Sequence, residues 1–277
     1  MDEFWRQMIA SIQNMASPMR PEPKEISFIE KKVKNRVSGI DGQLDLKALL
    51  LGVTPEIVDM NWPIGMELEA VDRSEAMADA FWLGDIPGKR KLTKGNWWDF
   101  PATASSFHFI FGDGIFNIQS FPGQFETFAS RMSGLLHRNG LAFFRVFTRS
   151  ENPDSPEKVI NQLRSGYISS YQEFRLRFTI ALQEDAGIGV ASSIPNTHQI
   201  LKEMGVNVEE LALLPDYSGI AEPMLALNKP QSLQMCFPSQ QEFVNAVSPW
   251  LNVVDVGYGE HSLARHCPVF CLSRSLE

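Results

Sequence analysis

The chain has 277 residues, 44% hydrophobic and 21% charged, with a formal net charge of −8. That balance excludes a disordered or fibrous chain, leaves room for a sizeable core, and argues against a broad nucleic-acid surface, which needs clustered cations. No apolar run is long enough for a bilayer span, Met1-Asp2-Glu3 is unlike a secretory signal, and Cys236, Cys267 and Cys271 form no disulfide framework, so a cytoplasmic protein away from membranes is expected.

Residues 2–15 have helical spacing that puts Trp5, Met8, Ile9 and Ile12 on one face, before Pro18, Pro21 and Pro23 interrupt it. A second helix is predicted over Lys24–Arg36, followed by a turn at 38–42. From Asp45 strand and helix signals alternate, as in a mainly parallel sheet with right-handed crossovers. Strands are predicted at Lys47–Leu51, Glu67–Val71, Arg90–Thr93, Phe107–Phe111 and Leu141–Phe147. Helices start near Pro55, Ser74 and Gln124, the last closing at Gly140. Residues 149–230 lose that rhythm and read as helices from Pro156, over Tyr171–Glu184, through Lys202 and over Val206–Leu214. A helix over Pro238–Leu251 and antiparallel strands at Asn252–Gly257 and Pro268–Ser273 complete the chain. The expected fold is α/β: a mainly parallel, seven-stranded Rossmann-like sheet with an antiparallel last strand and a helical insertion. The pattern divides into an N-terminal helical section (1–44), an α/β core (45–148), the insertion (149–230) and the C-terminal part of the core (231–277).

Ligands of open α/β sheets bind beyond the carboxyl ends of the strands. There the first strand delivers Gly52-Val53-Thr54-Pro55-Glu56, a turn in which glycine allows close backbone approach. Asp72 follows Gly52 by twenty positions, at the end of the second strand, where a carboxylate can accept from both ribose hydroxyls or cap the next helix. Met77 can pack under an adenine ring or simply fill core. After the third strand, Asn96 and the Trp97 amide can read the edge of adenine, or the segment is a turn with two buried tryptophans.

The ordered segments Leu49-Leu50-Leu51-Gly52-Val53-Thr54, Ala70-Val71-Asp72-Arg73-Ser74-Glu75-Ala76-Met77, Gly95-Asn96-Trp97-Trp98-Asp99-Phe100-Pro101 and Phe107-His108-Phe109-Ile110-Phe111-Gly112-Asp113-Gly114 resemble the class I S-adenosylmethionine-dependent methyltransferases over residues 45–148. The resemblance implies S-adenosylmethionine as cofactor and methyl transfer to a small-molecule acceptor. It places the methionine portion at Gly52, Val53, Thr54, Pro55 and Glu56, and the ribose at Asp72 beside Arg73. Adenine falls to Asn96 with Trp97, and the transferred methyl to Asp113–Asn117, with Gly114 and Asn117 among them; Met77 and Trp98 complete the expected cofactor-binding set. The 1–44 section is either a packing appendage or a lid over the cofactor, and with the insertion it is expected to shape an acceptor pocket with Trp5, Tyr167, Tyr171, Phe174 and Phe178 as aromatic lining. Asp113, His198 and Tyr171 are candidate bases for a hydroxyl or amine acceptor.

Thr54 and Glu56 stand where that family usually has glycine, which motivates an alternative: a non-catalytic protein of this fold that binds an adenosyl ligand or a protein partner. A nicotinamide-dependent oxidoreductase fits the single glycine and the antiparallel ending poorly. No His or Cys spacing suits a metal, and neither a nucleophile elbow nor a Walker loop is present.

Overall fold

The computed structural model describes residues 15–39, 45–186, 192–214, 217 and 234–275, with Arg6, Ile9 and Gln13 as isolated points. Most of the predicted helix at 2–15, with Trp5, lies outside the described residues, as does the segment 40–44. The helices are α1 (Pro23–Ser38), α2 (Pro55–Val58), α3 (Glu75–Phe81), α4 (Gly123–Leu135), α5 (Pro156–Arg164), α6 (Tyr171–Ala186), α7 (Ile194–Glu203), α8 (Val208–Ala212) and α9 (Gln240–Val247). The strands are β1 (Leu46–Leu51), β2 (Met66–Asp72), β3 (Arg90–Lys94), β4 (Phe107–Asp113), β5 (Leu136–Arg145), β6 (Ser192–Ser193), β7 (Gln234–Met235), β8 (Leu251–Gly257) and β9 (Val269–Arg274).

Seven strands form one sheet in the order β3-β2-β1-β4-β5-β9-β8, and β6 with β7 form a small separate ladder. Pairings from β3 to β5 are parallel, whereas β9 runs antiparallel to both β5 and β8. β9 thus slots inside and β8 takes the edge. The period-two alternation of strands divides the core between the two faces. Leu49, Leu51, Ile110 and Phe144 join Phe116, Phe125, Phe128 and Phe243 on one side. Ala48, Leu50, Phe109, Phe111 and Phe143 meet Ile29 and Val33 of α1 on the other. The α5–α8 section has its own cluster around Val159, Tyr171, Phe174 and Phe178. Leu176 and Ile180 of α6 join it to the rest through Phe147, Met235 and Phe237.

Two of the differences from expectation have a local cause. β5 begins at Leu136, directly after α4, rather than at Leu141, and Gly140 lies within it instead of ending the helix. The β4–β5 register is irregular between Phe107 and Phe109, and a Cβ on Gly140 would come within 2.8 Å of the His108 carbonyl oxygen. The glycine marks a bulge. The helix expected over Pro238–Leu251 spans only Gln240–Val247: Ser239 caps it reciprocally with Glu242, and Pro249 lacks the amide to extend it.

Candidate functional site

The turn after β1 is held in place from β2. Gly52 has φ +80°, and its amide donates to the Val71 carbonyl at 2.8 Å. The Val53 amide donates to Asp72 Oδ2 at 2.9 Å and the Ser74 amide to Oδ1 at 2.8 Å, so one carboxylate braces the turns that follow β1 and β2. Ser74, not Asp72, caps α3, accepting from the Met77 amide at 3.3 Å. Burial pushes the Asp72 carboxyl above its usual range, against the pull of the Ser74 and Val53 amides. The carboxylate also accepts from the Arg73 amide and keeps acceptor capacity for a further bond.

Trp97 closes one wall, its indole N–H donating to the Val71 carbonyl at 2.8 Å. Arg131 fixes its backbone, donating to the carbonyls of Trp97 at 3.0 Å and Phe100 at 2.6 Å. Asn96 turns its Oδ1 to the Trp98 amide at 3.2 Å, and Trp98 packs edge-on against Phe128 with ring centroids 5.2 Å apart.

At the end of β4, Asp113 Oδ1 accepts from Arg145 at 2.9 Å, and the same guanidinium donates to Glu25 Oε1 at 2.9 Å. Arg145 also donates to the carbonyls of Pro18 and Arg20, and Glu25 Oε2 accepts from the Glu22 amide at 2.7 Å. The arginine therefore fastens the segment before α1 to the carboxyl end of β5. Burial raises the Asp113 carboxyl, with Arg145 pulling the other way, while the flanking carboxylates keep Arg145 firmly protonated. Arg20 extends the contact to the first turn, pairing with Glu56 Oε1 at 2.6 Å and leaving Glu56 Oε2 buried without a hydrogen bond among the described residues.

These elements enclose a cavity of about 230 Å³. Its lining brings together Gly52, Val53, Thr54, Pro55, Glu56, Asp72, Arg73, Met77, Trp97, Asp113 and Gly114 from the sequence-predicted set. Four others lie elsewhere, each for a local reason. Asn96 and Trp98 are committed to their own turn and to α4. Asn117 is fully buried, donating to the carbonyls of Phe147 and Cys236 at 2.7 Å, so it ties loops together behind the cavity. Tyr171 packs edge-on against Tyr217 within the cluster of the insertion. Phe174 and Phe178, expected in the aromatic lining, stack on each other in that same cluster, and Tyr167 is 66% exposed. The side chain of His198 lies outside the described residues.

The rest of the lining was missed by sequence reasoning: Met15, Met19, Arg20, Pro21, Ile115, Ile118, Phe147, Arg175 and Met235, with Leu51 of β1 at the base. Pro18 and Pro21 were the available signal for the first four, since a proline-broken segment cannot continue a helix and must cross something. An arginine set between Phe174 and Leu176 was the signal for Arg175. One group of potential metal ligands occurs among the described residues, Glu22, Glu25 and His261, with ligand atoms within 4.8 Å of one another. Its carboxylates already serve the Arg145 guanidinium and the amides of Glu22, Glu260 and His261, so it acts as a clasp at the start of α1.

No protein-family model and no curated protein matches the sequence. Solved structures do match the fold. A Rhodobacter sphaeroides protein described as a Zn-dependent alcohol dehydrogenase superposes with a TM-score of 0.57 at 13% identity, over 99% of this chain and 98% of its own. The CurJ carbon methyltransferase gives 0.53 at 10% identity, over 98% of this chain and 59% of its own. A SAM-dependent methyltransferase from Leishmania major gives 0.50 at 10% identity, over 99% and 81%. At such identities the likeness concerns the fold alone. Dinucleotide-binding Rossmann sheets take the order 3-2-1-4-5-6. Here an antiparallel strand is inserted before the edge, and the architecture is that of the class I S-adenosylmethionine-dependent methyltransferases. No helix among the described residues is long and apolar enough to cross a membrane.

Proposed function

We propose that the chain is a methyltransferase that uses S-adenosylmethionine to methylate a small molecule. One observation carries the reading: a cavity at the carboxyl edge of β1, β2 and β4, where the Gly52 turn, Asp72, Trp97 and Asp113 converge. The residues present suit the cofactor. Asp72 has acceptor capacity for ribose hydroxyls, Gly52 leaves its turn free of a side chain beside Trp97, and the orphaned Glu56 Oε2 can accept from an ammonium group. When bound, S-adenosylmethionine supplies an electrophilic methyl group on a sulfonium. The remaining task for the protein is alignment and exclusion of water, and alignment alone is worth roughly 7–11 kcal/mol of barrier. Asp113 lines the cavity and bonds Arg145 through Oδ1, so its second carboxylate oxygen can take a proton from a hydroxyl or amine acceptor.

The cavity is smaller than the ~300–1,000 Å³ of most ligand sites. Met15, Met19, Arg20 and Pro21 stand across it, so the segment before α1 serves as a lid that shifts outward to admit ligands. The α/β core from 45 to 148, closed by 231–277, holds the cofactor in this scheme, and the insertion contributes the acceptor side. Glu56, in place of a glycine, favours a second reading, an adenosyl-binding protein without catalysis.

Calorimetric titration with S-adenosylmethionine, S-adenosylhomocysteine and NAD separates these readings. Binding of both adenosyl ligands and not NAD is expected, together with transfer of an isotopically labelled methyl group to small molecules of a cell extract. NAD binding alone overturns the assignment, and adenosyl binding with no methylated product leaves the non-catalytic reading.

A further inference from the structure

Among the buried and half-buried arginines, Arg145 is paired with Glu25 and Asp113, Arg149 with both oxygens of Glu242, and Arg177 with Glu173 and Asp154. Arg175 departs from that pattern. Its side chain has no hydrogen bond or ion pair among the described residues, and its Nη1 is buried without any partner. It lines the cavity. Arg175 is half-buried; a guanidinium nitrogen withdrawn from water without a hydrogen-bond partner is costly, and burial lowers the proton affinity of the group. The arrangement is explained if a ligand completes the pair, because a planar guanidinium fork matches a carboxylate bidentately.

The surroundings indicate which ligand. Arg175 belongs to α6 in the insertion, not to the strand ends that carry Gly52 and Asp72. The next residue, Leu176, packs in a cluster with Phe147, Met235 and Met19, all of which also line the cavity. An apolar wall beside one unpaired cation fits a molecule with a hydrocarbon body and an anionic head. We infer that Arg175 is the receptor for a carboxylate, and that the acceptor of the proposed methyl transfer is a small apolar carboxylic acid. The inference rests on the methyltransferase reading. The same chemistry is present in the methionine end of the cofactor, so the test must tell the two sources apart.

Benzoate and hexanoate are titrated, beside neutral benzamide and hexanamide, into the full chain with and without saturating S-adenosylhomocysteine. Carboxylates should bind at least about tenfold more tightly than their amides. Arg175→Gln should erase that preference, Arg175→Lys should restore part of it, and affinity for S-adenosylhomocysteine should stay within about twofold. A carboxylate preference absent from the unaltered protein, a comparison that needs no variant to fold, overturns the proposal; so does one that survives Arg175→Gln. If instead Arg175→Gln weakens S-adenosylhomocysteine but not 5′-methylthioadenosine, which lacks the amino acid end, the counter-ion is the cofactor's carboxylate and the acceptor assignment falls. Failure of the unaltered protein to bind S-adenosylhomocysteine overturns the methyltransferase reading, whereas the titrations without it still judge Arg175 as a carboxylate receptor.

Discussion

Replacing Arg145 by Met removes the cation from a cluster that water does not reach. The Arg145 side chain is 3% exposed, Glu25 0% and Asp113 13%, so the variant strands two carboxylates in a desolvated site. Breaking such a pair costs about 3–5 kcal/mol, and the two contacts are coupled and do not simply add. At roughly 2–4 °C per kcal/mol for a chain of this size, the melting temperature should fall by about 6–20 °C. The loss should also depend on pH. Burial already raises Asp113, and without the guanidinium the opposing pull disappears. A carboxyl whose folded value lies above its unfolded one is stabilising when protonated and loses that contribution as pH rises through the folded value. The deficit should therefore be largest near about pH 8 and shrink toward about pH 4, the ordinary carboxylate range. Urea unfolding followed by circular dichroism at both pH values measures this. Adding Glu25→Gln and Asp113→Asn to Arg145→Met should recover much of the loss, because neutral amides carry no charge to strand. A single-variant loss under about 1 kcal/mol, or one equal at both pH values, would show that the cluster is effectively solvated and the reasoning wrong.

Asp72→Ala should weaken S-adenosylhomocysteine by about 1.5–3 kcal/mol, roughly 10–150-fold; unchanged affinity in a folded variant leaves Asp72 only its structural bonds to Val53 and Ser74. Gly52→Ala forces a side chain into φ +80° and should cost about 1–2 kcal/mol in thermal unfolding. An unaltered melt would mean that the turn relaxes freely. Cys267 and Cys271, whose thiols burial pushes up to about 12, should resist iodoacetamide in the folded protein and react only on unfolding, as read by mass spectrometry. Rapid labelling of either without unfolding contradicts their burial. Amide exchange in residues 15–21 should slow when S-adenosylhomocysteine binds; if it is equally slow beforehand, the segment is a fixed wall and not a lid.

Much of the fold was legible because strands buried on both faces are written as short apolar runs. Ala48 to Leu51 and Phe109 to Phe111 are core residues and mark β1 and β4 directly. Asp72 and Gly52 were legible by spacing, since the end of one strand and the turn after its neighbour must come together in a parallel sheet. Side-chain commitments were not. Nothing local says that Asn117 reaches Phe147 and Cys236, a contact spanning 119 positions in the second case. Phe174 and Phe178 have the composition of a pocket wall, yet which face of α6 is turned inward depends on where α5 and α7 pack. The bulge at Gly140 was hidden for a similar reason: a glycine between helix and strand signals looks like a helix stop, and only the approach of the His108 carbonyl explains it.

The setting of Trp97 gives the molecule an optical readout of its own state. Trp97 is the indole in the cavity wall among the described residues, whereas Trp62 rests on Phe111, Trp98 on Phe128, Trp82 bonds Asp85 and Trp250 is 41% exposed. A ring stacked or crossed by an occupant changes its emission, and the bond from its nitrogen to Val71 holds it still while that happens. The difference between unaltered protein and Trp97→Phe thus isolates the fluorescence of a single site. Occupancy of the cavity can then be followed in time with no label and before any acceptor is known.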